Sequence, residues 1–324
     1  MKIQTGRLEQ SESTLMSALS PMLAVRRIRG GSLLHDLAEL TKVRVTSLIV
    51  MTPWCGYFFA SRKAGLPHLN WGLFHASLGI GLVSSGPAAL NEVMEREVDG
   101  QMRRTASRPL PAGRMSLWHA SVFGIFLAVG GSLYLAIYTN VLTGWLTFLT
   151  ALVYLAAYTP LKRVSRLCTF VGAFPGAMPG VLGWTAARGR IERGTFIFCD
   201  FVPLAISPLF SIAWLYREDY AQGGVRMLPV VEPQGKSTSP RIILYSLILL
   251  PVSLLPSFTG LAGRIYLAGA LILGFGLLWV GVRLATLGMP LASGASKLRA
   301  RQLLRATIVY LPILFALMMT NSRH

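Results

Sequence analysis

Charge is scarce in this sequence, and acidic residues are the scarcest of all. Only 14% of the 324 residues are charged, and 13 aspartates and glutamates stand against 31 lysines and arginines. Soluble domains carry roughly a quarter charged residues. The apolar residues make up 53% of the chain and fall in blocks of about 20, the length that crosses a bilayer as a helix. The composition therefore predicts a polytopic membrane protein.

Cysteine is also rare, and the strict polar–apolar alternation of strands is not evident. Cys55, Cys168 and Cys199 lie far apart, without the spacing of a metal site or a disulfide framework. Backbone polar groups in lipid must be satisfied within the spanning structure, which here leaves helices. The net charge of +18 does not indicate nucleic acid binding, because the basic residues lie in loops between apolar blocks. We expect an all-α fold with no nucleic-acid partner.

The apolar blocks predict about nine transmembrane helices. A tail over residues 1–40 precedes the membrane domain, which we place at 41–320. Most of the 31 lysines and arginines lie in the tail and after spans two, four, six and eight. Such a bias predicts a cytoplasmic N-terminus and cytoplasmic charged loops, with the C-terminus outside. The predicted spans are 43–61, 72–94, 117–138, 141–159, 167–187, 195–216, 240–258, 262–285 and 303–320.

Both signs of charge meet in residues 91–114, directly after a segment without acidic or basic residues. Asn91, Glu95 and Asp99 recur every four residues, and each such step turns a helix by about 40°. The three side chains thus share one face, about 6 Å apart along the axis. Two carboxylates and an amide oxygen are suitable ligands for Mg²⁺, which commonly bridges to a substrate phosphate.

Three arginines follow on the same segment: Arg103, Arg104 and Arg108. Guanidinium groups bind phosphate oxygens in a bidentate manner, so the segment suits a diphosphate held with Mg²⁺. The alternative is an ordinary solvated helix end, in which residues four apart, such as Asp99 and Arg103, form ion pairs. Spacing alone leaves the two interpretations level.

Two later basic loops add one candidate each. Lys162 follows Tyr-Thr-Pro-Leu after the fourth span and can contact a diphosphate as a point charge, although it can equally serve as an anchor at the membrane surface. Asp219, in Arg-Glu-Asp-Tyr after the sixth span, is a second candidate metal ligand. Its alternative partner is the nearby Arg217.

Together these segments resemble the UbiA-type intramembrane prenyltransferase superfamily, typified by 4-hydroxybenzoate polyprenyltransferase, and within it the branch of protoheme IX farnesyltransferases. The resemblance runs from about residue 36 to 320, and its segments occur in order. They are Asn-x3-Glu-x3-Asp at 91–99, Met-Arg-Arg-Thr at 102–105, Arg-Pro-Leu-Pro-Ala-Gly at 108–113, Tyr-Thr-Pro-Leu-Lys-Arg at 158–163, Gly-Ala-Phe-Pro-Gly at 172–176, Arg-Glu-Asp-Tyr at 217–220 and Met-Leu-Pro-Val-Val at 227–231.

This resemblance implies an Mg²⁺-dependent enzyme of the bacterial cytoplasmic (inner) membrane. It would transfer a farnesyl group from farnesyl diphosphate to a vinyl group of heme b, giving heme O and diphosphate, and its further partners would come from heme biosynthesis or oxidase assembly. The implied metal ligands are Asn91, Glu95, Asp99 and Asp219; the diphosphate ligands are Arg103, Arg104, Arg108 and Lys162; the catalytic residues are Asp99, Lys162 and Asp219. Aromatic faces that would stabilise an allylic cation are those of Tyr154, Tyr158, Trp184 and Trp214.

One segment departs from the pattern of that branch. Alignment on Asp219 places Leu-Ala-Ile-Ser-Pro, residues 204–208, where these enzymes carry Trp-Gln-x-Pro-His. A quinone precursor or another tetrapyrrole is therefore the alternative acceptor, and His75 or His119 is a candidate heme ligand in place of the missing histidine. A transporter would place charges deep in several spans, which the sequence does not.

Overall fold

The computed structural model describes residues 32–199, 202–232, 237–286 and 293–322. Within these ranges no β-strand is present beyond an isolated bridge between Ala262 and Ser322, so the all-α prediction is confirmed. The helices are α1 (Leu33–Leu40), α2 (Val43–Lys63), α3 (Trp71–Gln101), α4 (Leu117–Tyr138), α5 (Val141–Val153), a π-helical turn (Tyr154–Tyr158), α6 (Thr159–Val164), α7 (Cys168–Arg188), α8 (Arg193–Cys199), α9 (Val202–Leu215), α10 (Arg217–Gln222), α11 (Leu228–Val231), α12 (Thr238–Phe258), α13 (Arg264–Ala285) and α14 (Gly294–Thr320).

Seven helices in the described ranges are long and apolar enough to cross a membrane: α2, α3, α4, the continuous helix Val141–Val164, α12, α13 and α14. They carry seven of the nine predicted spans. The span at 167–187 coincides with α7, which is long enough but is diluted by proline and glycine. The span at 195–216 is divided between α8 and α9, and residues 200 and 201 lie outside the described ranges. The predicted number of nine is thus approximate.

The outward faces of these helices are apolar. On α13, Ile265, Ile272 and Trp279 are all at least 60% exposed and follow one another at intervals of seven residues, which keeps them on one side of the helix. Soluble monomers rarely expose continuous apolar surface of this kind. Together with the seven spanning helices, this surface identifies an integral membrane protein.

Close contact between α2 and α7 fixes the centre of the bundle. A side chain on Gly56 would meet the carbonyl oxygen of Gly180 at 2.0 Å, and one on Gly183 would meet that of Pro53 at the same distance. Small residues of this kind let membrane helices approach through their backbones. The crossing places the N-terminal halves of α2 and α7 around the same interior space.

Short polar residues begin several of the helices. The side chains of Asn70, Ser116 and Asn140 each accept a hydrogen bond from the backbone N–H three residues later, at the starts of α3, α4 and α5. These caps satisfy donors that a helix start leaves free. They explain why these three helices start within one residue of the predicted spans.

Residues 1–31 of the predicted tail lie outside the described ranges, whereas its last part forms α1. Arg114, the last residue of the charged segment 91–114, pairs with Asp36 at 2.9 Å and with Glu39 at 3.5 Å. Leu40 is buried together with Leu110. Helix α1 therefore supports the loop between α3 and α4.

Candidate active site

One face of the end of α3 carries polar residues into the protein rather than into solvent. Asn91 and Asp99 are each 1% exposed, and the helix continues to Gln101, so the predicted common face with Glu95 is present. Burial of ionised carboxylates is costly unless they are paired and hydrogen-bonded. Each member of this face must therefore have a partner nearby.

Those partners come from three other parts of the chain. Lys42 donates a hydrogen bond from Nζ to Asn91 Oδ1 at 3.1 Å. Lys162 Nζ contacts both Glu95 oxygens, at 3.0 and 3.2 Å. Arg108 Nη1 lies 2.6 Å from Asp99 Oδ2. We call the six residues of these three pairs the polar mouth: Lys42, Asn91, Glu95, Asp99, Arg108 and Lys162.

The pairing of Asp99 separates the two interpretations of this segment. A solvated helix end would have paired Asp99 with Arg103, whereas the structure pairs it with Arg108 from the following loop. Thr105 holds that loop in place by donating a hydrogen bond to the Asp99 carbonyl oxygen at 2.8 Å. Arg103 itself is exposed. The charges are thus arranged around a common centre and not along a helix surface.

Lys42 is a member of the polar mouth that the sequence did not predict. It precedes α2 directly, in the left-handed backbone conformation with φ of 50°, which is uncommon for a residue other than glycine. Burial and the neighbouring cations Arg108 and Lys162 lower the pKa of Lys42 to about 8. In the sequence it was indistinguishable from a basic residue that orients a span.

Lys162 owes its position to the π-helical turn Tyr154–Tyr158. A π-turn adds a residue to a helical turn and is frequent at functional sites. The Lys162 ammonium lies over the Tyr158 ring, 4.7 Å from its centre. Thr159, directly after the turn, accepts a hydrogen bond at Oγ1 from Asn91 Nδ2 at 3.2 Å. The turn therefore links two predicted site residues, Asn91 and Lys162.

The three basic loops of the sequence meet at this end of the bundle. Arg104 stacks over the ring of Tyr216, with its guanidinium carbon 4.8 Å from the ring centre. The backbone N–H of Arg226 donates to the Lys162 carbonyl oxygen at 2.8 Å. A side chain on Gly223 would meet Val98 of α3 at 2.8 Å. The loops after spans two, four and six are thus in direct contact.

Asp219 lies in this assembly but outside the polar mouth. It is partly buried on the short helix α10, and its carbonyl oxygen accepts a hydrogen bond from the Gly223 N–H at 3.0 Å. In the described part of the chain, no three acidic, histidine or cysteine residues are grouped as a metal site. The oxygens of Asn91, Glu95 and Asp99 nevertheless fit Mg²⁺, which needs only one or two carboxylates beside substrate phosphates and water.

Glu92 is a further buried acid on α3, next to Asn91 in the sequence. It is fully buried, and its Oε1 lies 3.5 Å from the backbone N–H of Leu110. Its other oxygen has no hydrogen-bond partner among the described residues. Glu92 therefore contacts the loop that carries Arg108.

A cavity of about 420 Å³ opens beside the polar mouth, within the range of small-molecule sites. Lys42, Tyr154 and Tyr158 line its polar end, and the rest of its wall is largely apolar. Of the predicted aromatic residues, Tyr154 and Tyr158 therefore reach the cavity, whereas Trp184 and Trp214 are absent from its lining. The remaining lining residues are Val45, Thr46, Ile49, Val83, Ser84, Pro87, Ala88, Thr147, Thr150, Ala151, Gly172, Pro175, Gly176, Pro179, Leu182, Pro208, Leu209 and Ile212.

Pro208 stands on this wall at the position where the resembled enzymes carry histidine. The side chains of residues 204, 205 and 207, in the same departing segment, lie outside the described part. His75 contacts the Tyr134 hydroxyl through Nδ1 at 2.5 Å, and His119 contacts Ser116 at the same distance. Neither histidine lines the cavity.

An apolar cavity that ends at acids and cations, inside a helical membrane bundle, fits an intramembrane prenyltransferase. Residues 49–296 match the UbiA prenyltransferase family. The chain belongs to this family, as the sequence predicted.

Curated relatives agree over nearly the whole chain. A protein of Koribacter versatilis named protoheme IX farnesyltransferase is 53% identical over 94% of this chain and 99% of its own. One of the same name from Solibacter usitatus is 43% identical over 89% and 99%.

Solved structures share the fold at low identity. A digeranylgeranylglyceryl phosphate synthase superposes with a TM-score of 0.68 at 16% identity, over 89% of this chain and 98% of its own. A UbiA homolog from Archaeoglobus fulgidus, solved with GPP and Mg²⁺, gives 0.55 at 17% identity, over 87% and 99%.

Proposed function

We propose that this protein transfers the farnesyl group of farnesyl diphosphate to a vinyl group of heme b, with addition of one water molecule, producing heme O and diphosphate. The observation that carries the proposal is the joining of a largely apolar cavity to the polar mouth. An apolar tail with a diphosphate head matches both parts. The name of the relative that is 53% identical over 94% of this chain supports the choice of donor and acceptor.

The diphosphate would bind at the polar mouth. Asn91, Glu95 and Asp99, with Asp219, would hold Mg²⁺, which would neutralise the charge that develops on the leaving group. When metal and diphosphate enter, the cations now paired with these oxygens become free to bind phosphate. Arg103 and Arg104 are exposed on the segment between Asp99 and Arg108, from which they would contact the outer phosphate oxygens.

Catalysis in this arrangement consists mainly of stabilising charge at fixed positions. Lys162 and Arg108 lie beside Glu95 and Asp99 and, once the metal has taken those oxygens, would stabilise the charge of the departing diphosphate. The rings of Tyr154 and Tyr158 lie at the start of the cavity, where the allylic carbon would sit. Their faces would stabilise the positive charge left there, which a vinyl group would then attack.

The acceptor is tested directly with purified protein, farnesyl diphosphate and Mg²⁺. We expect a farnesylated porphyrin, identified by mass, when heme b is supplied. Parallel reactions contain aromatic quinone precursors or other tetrapyrroles. These are the alternative acceptors, because Pro208 occupies the position at which the resembled enzymes carry histidine. Conversion of one of those acceptors while heme b stays unchanged would overturn the proposed acceptor. The proposal that farnesyl diphosphate is the donor would stand.

The orientation of the chain belongs to the same proposal. The polar mouth would face the cytoplasm, where farnesyl diphosphate is dissolved, because the basic loops lie at that end. A cysteine or tag added at the C-terminus should then react only with reagents supplied from outside. Labelling only from the cytoplasmic side would contradict this orientation.

A further inference from the structure

The continuous helix Val141–Val164 presents hydroxyl groups to the cavity. Tyr158, Tyr154, Thr150 and Thr147 all line it, at intervals of three or four residues that place them on one face. Thr150 lies about 6 Å along the axis from Tyr154 and about 12 Å from Tyr158. In a wall that is otherwise mostly apolar, this face offers hydrogen bonds at graded distances from the polar mouth.

The Thr150 hydroxyl group is oriented to accept a hydrogen bond, because its own hydrogen is already donated. Its Oγ1 donates its hydrogen to the Leu146 carbonyl oxygen at 2.7 Å, which fixes the group and leaves its lone pairs able to accept a hydrogen bond. The residue is partly exposed at the cavity. A water molecule bound there would donate to Thr150 and keep its own lone pair for attack.

Thr147 makes the same kind of bond one turn deeper. Its Oγ1 donates to the Thr143 carbonyl oxygen at 2.6 Å, but the residue is only 3% exposed. It lies about 10 Å along the axis from Tyr154, in the part of the cavity that a prenyl tail would fill. The two threonines therefore match in chemistry and differ in distance from the reacting carbon.

We propose that Thr150 is a positioning residue that holds the water molecule completing the transfer, an inference that rests on the proposed function. The vinyl electrons form a bond to the farnesyl carbon as its bond to diphosphate breaks, which leaves a cation on the vinyl carbon nearest the porphyrin. Water held at Thr150 forms a C–O bond there, and its proton passes to the released diphosphate. Without that water, the cation loses a proton from carbon and gives an alkene.

The two products differ in mass by one water molecule, so their ratio reports the role of Thr150. We expect Thr150→Val to raise the ratio of alkene to hydroxylated product by about fivefold to tenfold, the effect of losing one hydrogen bond. The rate of diphosphate release should change much less. Thr150→Ser keeps the hydroxyl and should restore the ratio.

Thr147→Val is the matched control in the same cavity, and Thr307→Val, on the buried face of α14 outside the cavity, is the control for loss of a buried hydroxyl. Both should keep the wild-type ratio. An unchanged ratio in Thr150→Val, or an equal shift in Thr147→Val, overturns the inference while heme farnesylation stands. If wild-type protein does not farnesylate heme b at all, the proposed function fails first and the inference fails with it.

Discussion

Acidic side chains meet cations at both ends of the helical bundle, but in opposite ways. At the polar mouth, Glu95 and Asp99 each have one cation, and each cation comes from a different part of the chain. At the far end of α2 and α7, a single acid, Glu192, gathers three cations. Its partners are Lys63 at 2.8 Å, Arg188 at 2.9 Å and Arg190 at 2.5 Å.

The two arrangements differ in how easily their ion pairs can be replaced by other partners. Asp99 is almost fully buried beside Arg108, and pairing in such a site barely offsets the desolvation of the two charges. A metal ion and a diphosphate can replace these pairs at little net cost. At Glu192, long side chains such as Arg190, 65% exposed, extend into solvent, where ion pairs contribute little. One cluster is suited to exchange partners, and the other ties helix ends together.

Replacing Asp99 should have the largest effect. Asp99→Ala removes a proposed metal ligand and leaves the partly buried Arg108 without its carboxylate partner, so we expect turnover to fall by at least about a hundredfold. The assay is diphosphate release from farnesyl diphosphate with saturating Mg²⁺ and heme b. Near-normal turnover in this variant, with protein still inserted in the membrane, would defeat the metal assignment.

A second variant separates chemistry from folding. Asp99→Ala with Arg108→Ala removes both charges of the pair, which should recover thermal stability lost in the single variant. Turnover should stay low, because both groups are proposed to act at the diphosphate. Recovery of turnover together with stability would indicate that the pair is only structural.

The next-largest loss of turnover is expected from a change in backbone packing beside the Tyr158 ring. A side chain on Gly172 would come within 2.5 Å of the Tyr158 ring, the ring on which Lys162 rests. Gly172→Ala should displace that ring and lower turnover by about tenfold, since small misplacements of catalytic groups are costly. Gly276→Ala is the control, because nothing in the described structure lies within 4 Å of its added carbon. Equal activities would show that the ring tolerates the shift.

The sequence could predict those features that depend on a single helix or on the bilayer. Asn91, Glu95 and Asp99 were predicted because a period of four places side chains on one helix face regardless of the fold. The helices were predicted because apolar blocks of bilayer length have few other structures. These are local or general constraints, and they need no knowledge of which helices are neighbours.

The sequence could not predict contacts between segments that are distant along the chain. Lys42 meets Asn91 across 49 residues, and a lysine before a span carries no mark of such a contact. Asp99 was given Arg103 as an alternative partner because residues four apart are neighbours on a helix, whereas the loop after α3 returns Arg108 to it. Trp184 and Trp214 were candidates by residue type alone, and helix rotation places both away from the cavity.

Lys42 offers a test of the polar mouth through pH. Its pKa is lowered from 10.5 to about 8, first by burial and then by Arg108 and Lys162, so it loses its charge as pH rises through about 8. The KM for farnesyl diphosphate should then rise severalfold above that pH. Lys42→Met should show the high KM at every pH, and Lys42→Arg, which stays charged, should show no step near pH 8.

The stability of the fold should respond in the opposite direction. Because the folded pKa of Lys42 lies below its unfolded value, the free energy of unfolding should increase between about pH 8 and 10.5, where the unfolded chain binds more protons. A KM step that persists unchanged in Lys42→Met would assign the titration to another group.

The smallest effect is expected at the far cluster. Three cations lower the pKa of Glu192 to about 2, chiefly through hydrogen bonds from Lys63, Arg188 and Arg190, so its contribution to stability is complete at neutral pH and is lost only as pH falls toward 2. Glu192→Gln should reduce the melting temperature slightly at pH 7 and leave turnover within about twofold, because pairs at the surface act on the helix ends and not on the cavity. A loss of turnover comparable to that of Asp99→Ala would remove the distinction between the two ends.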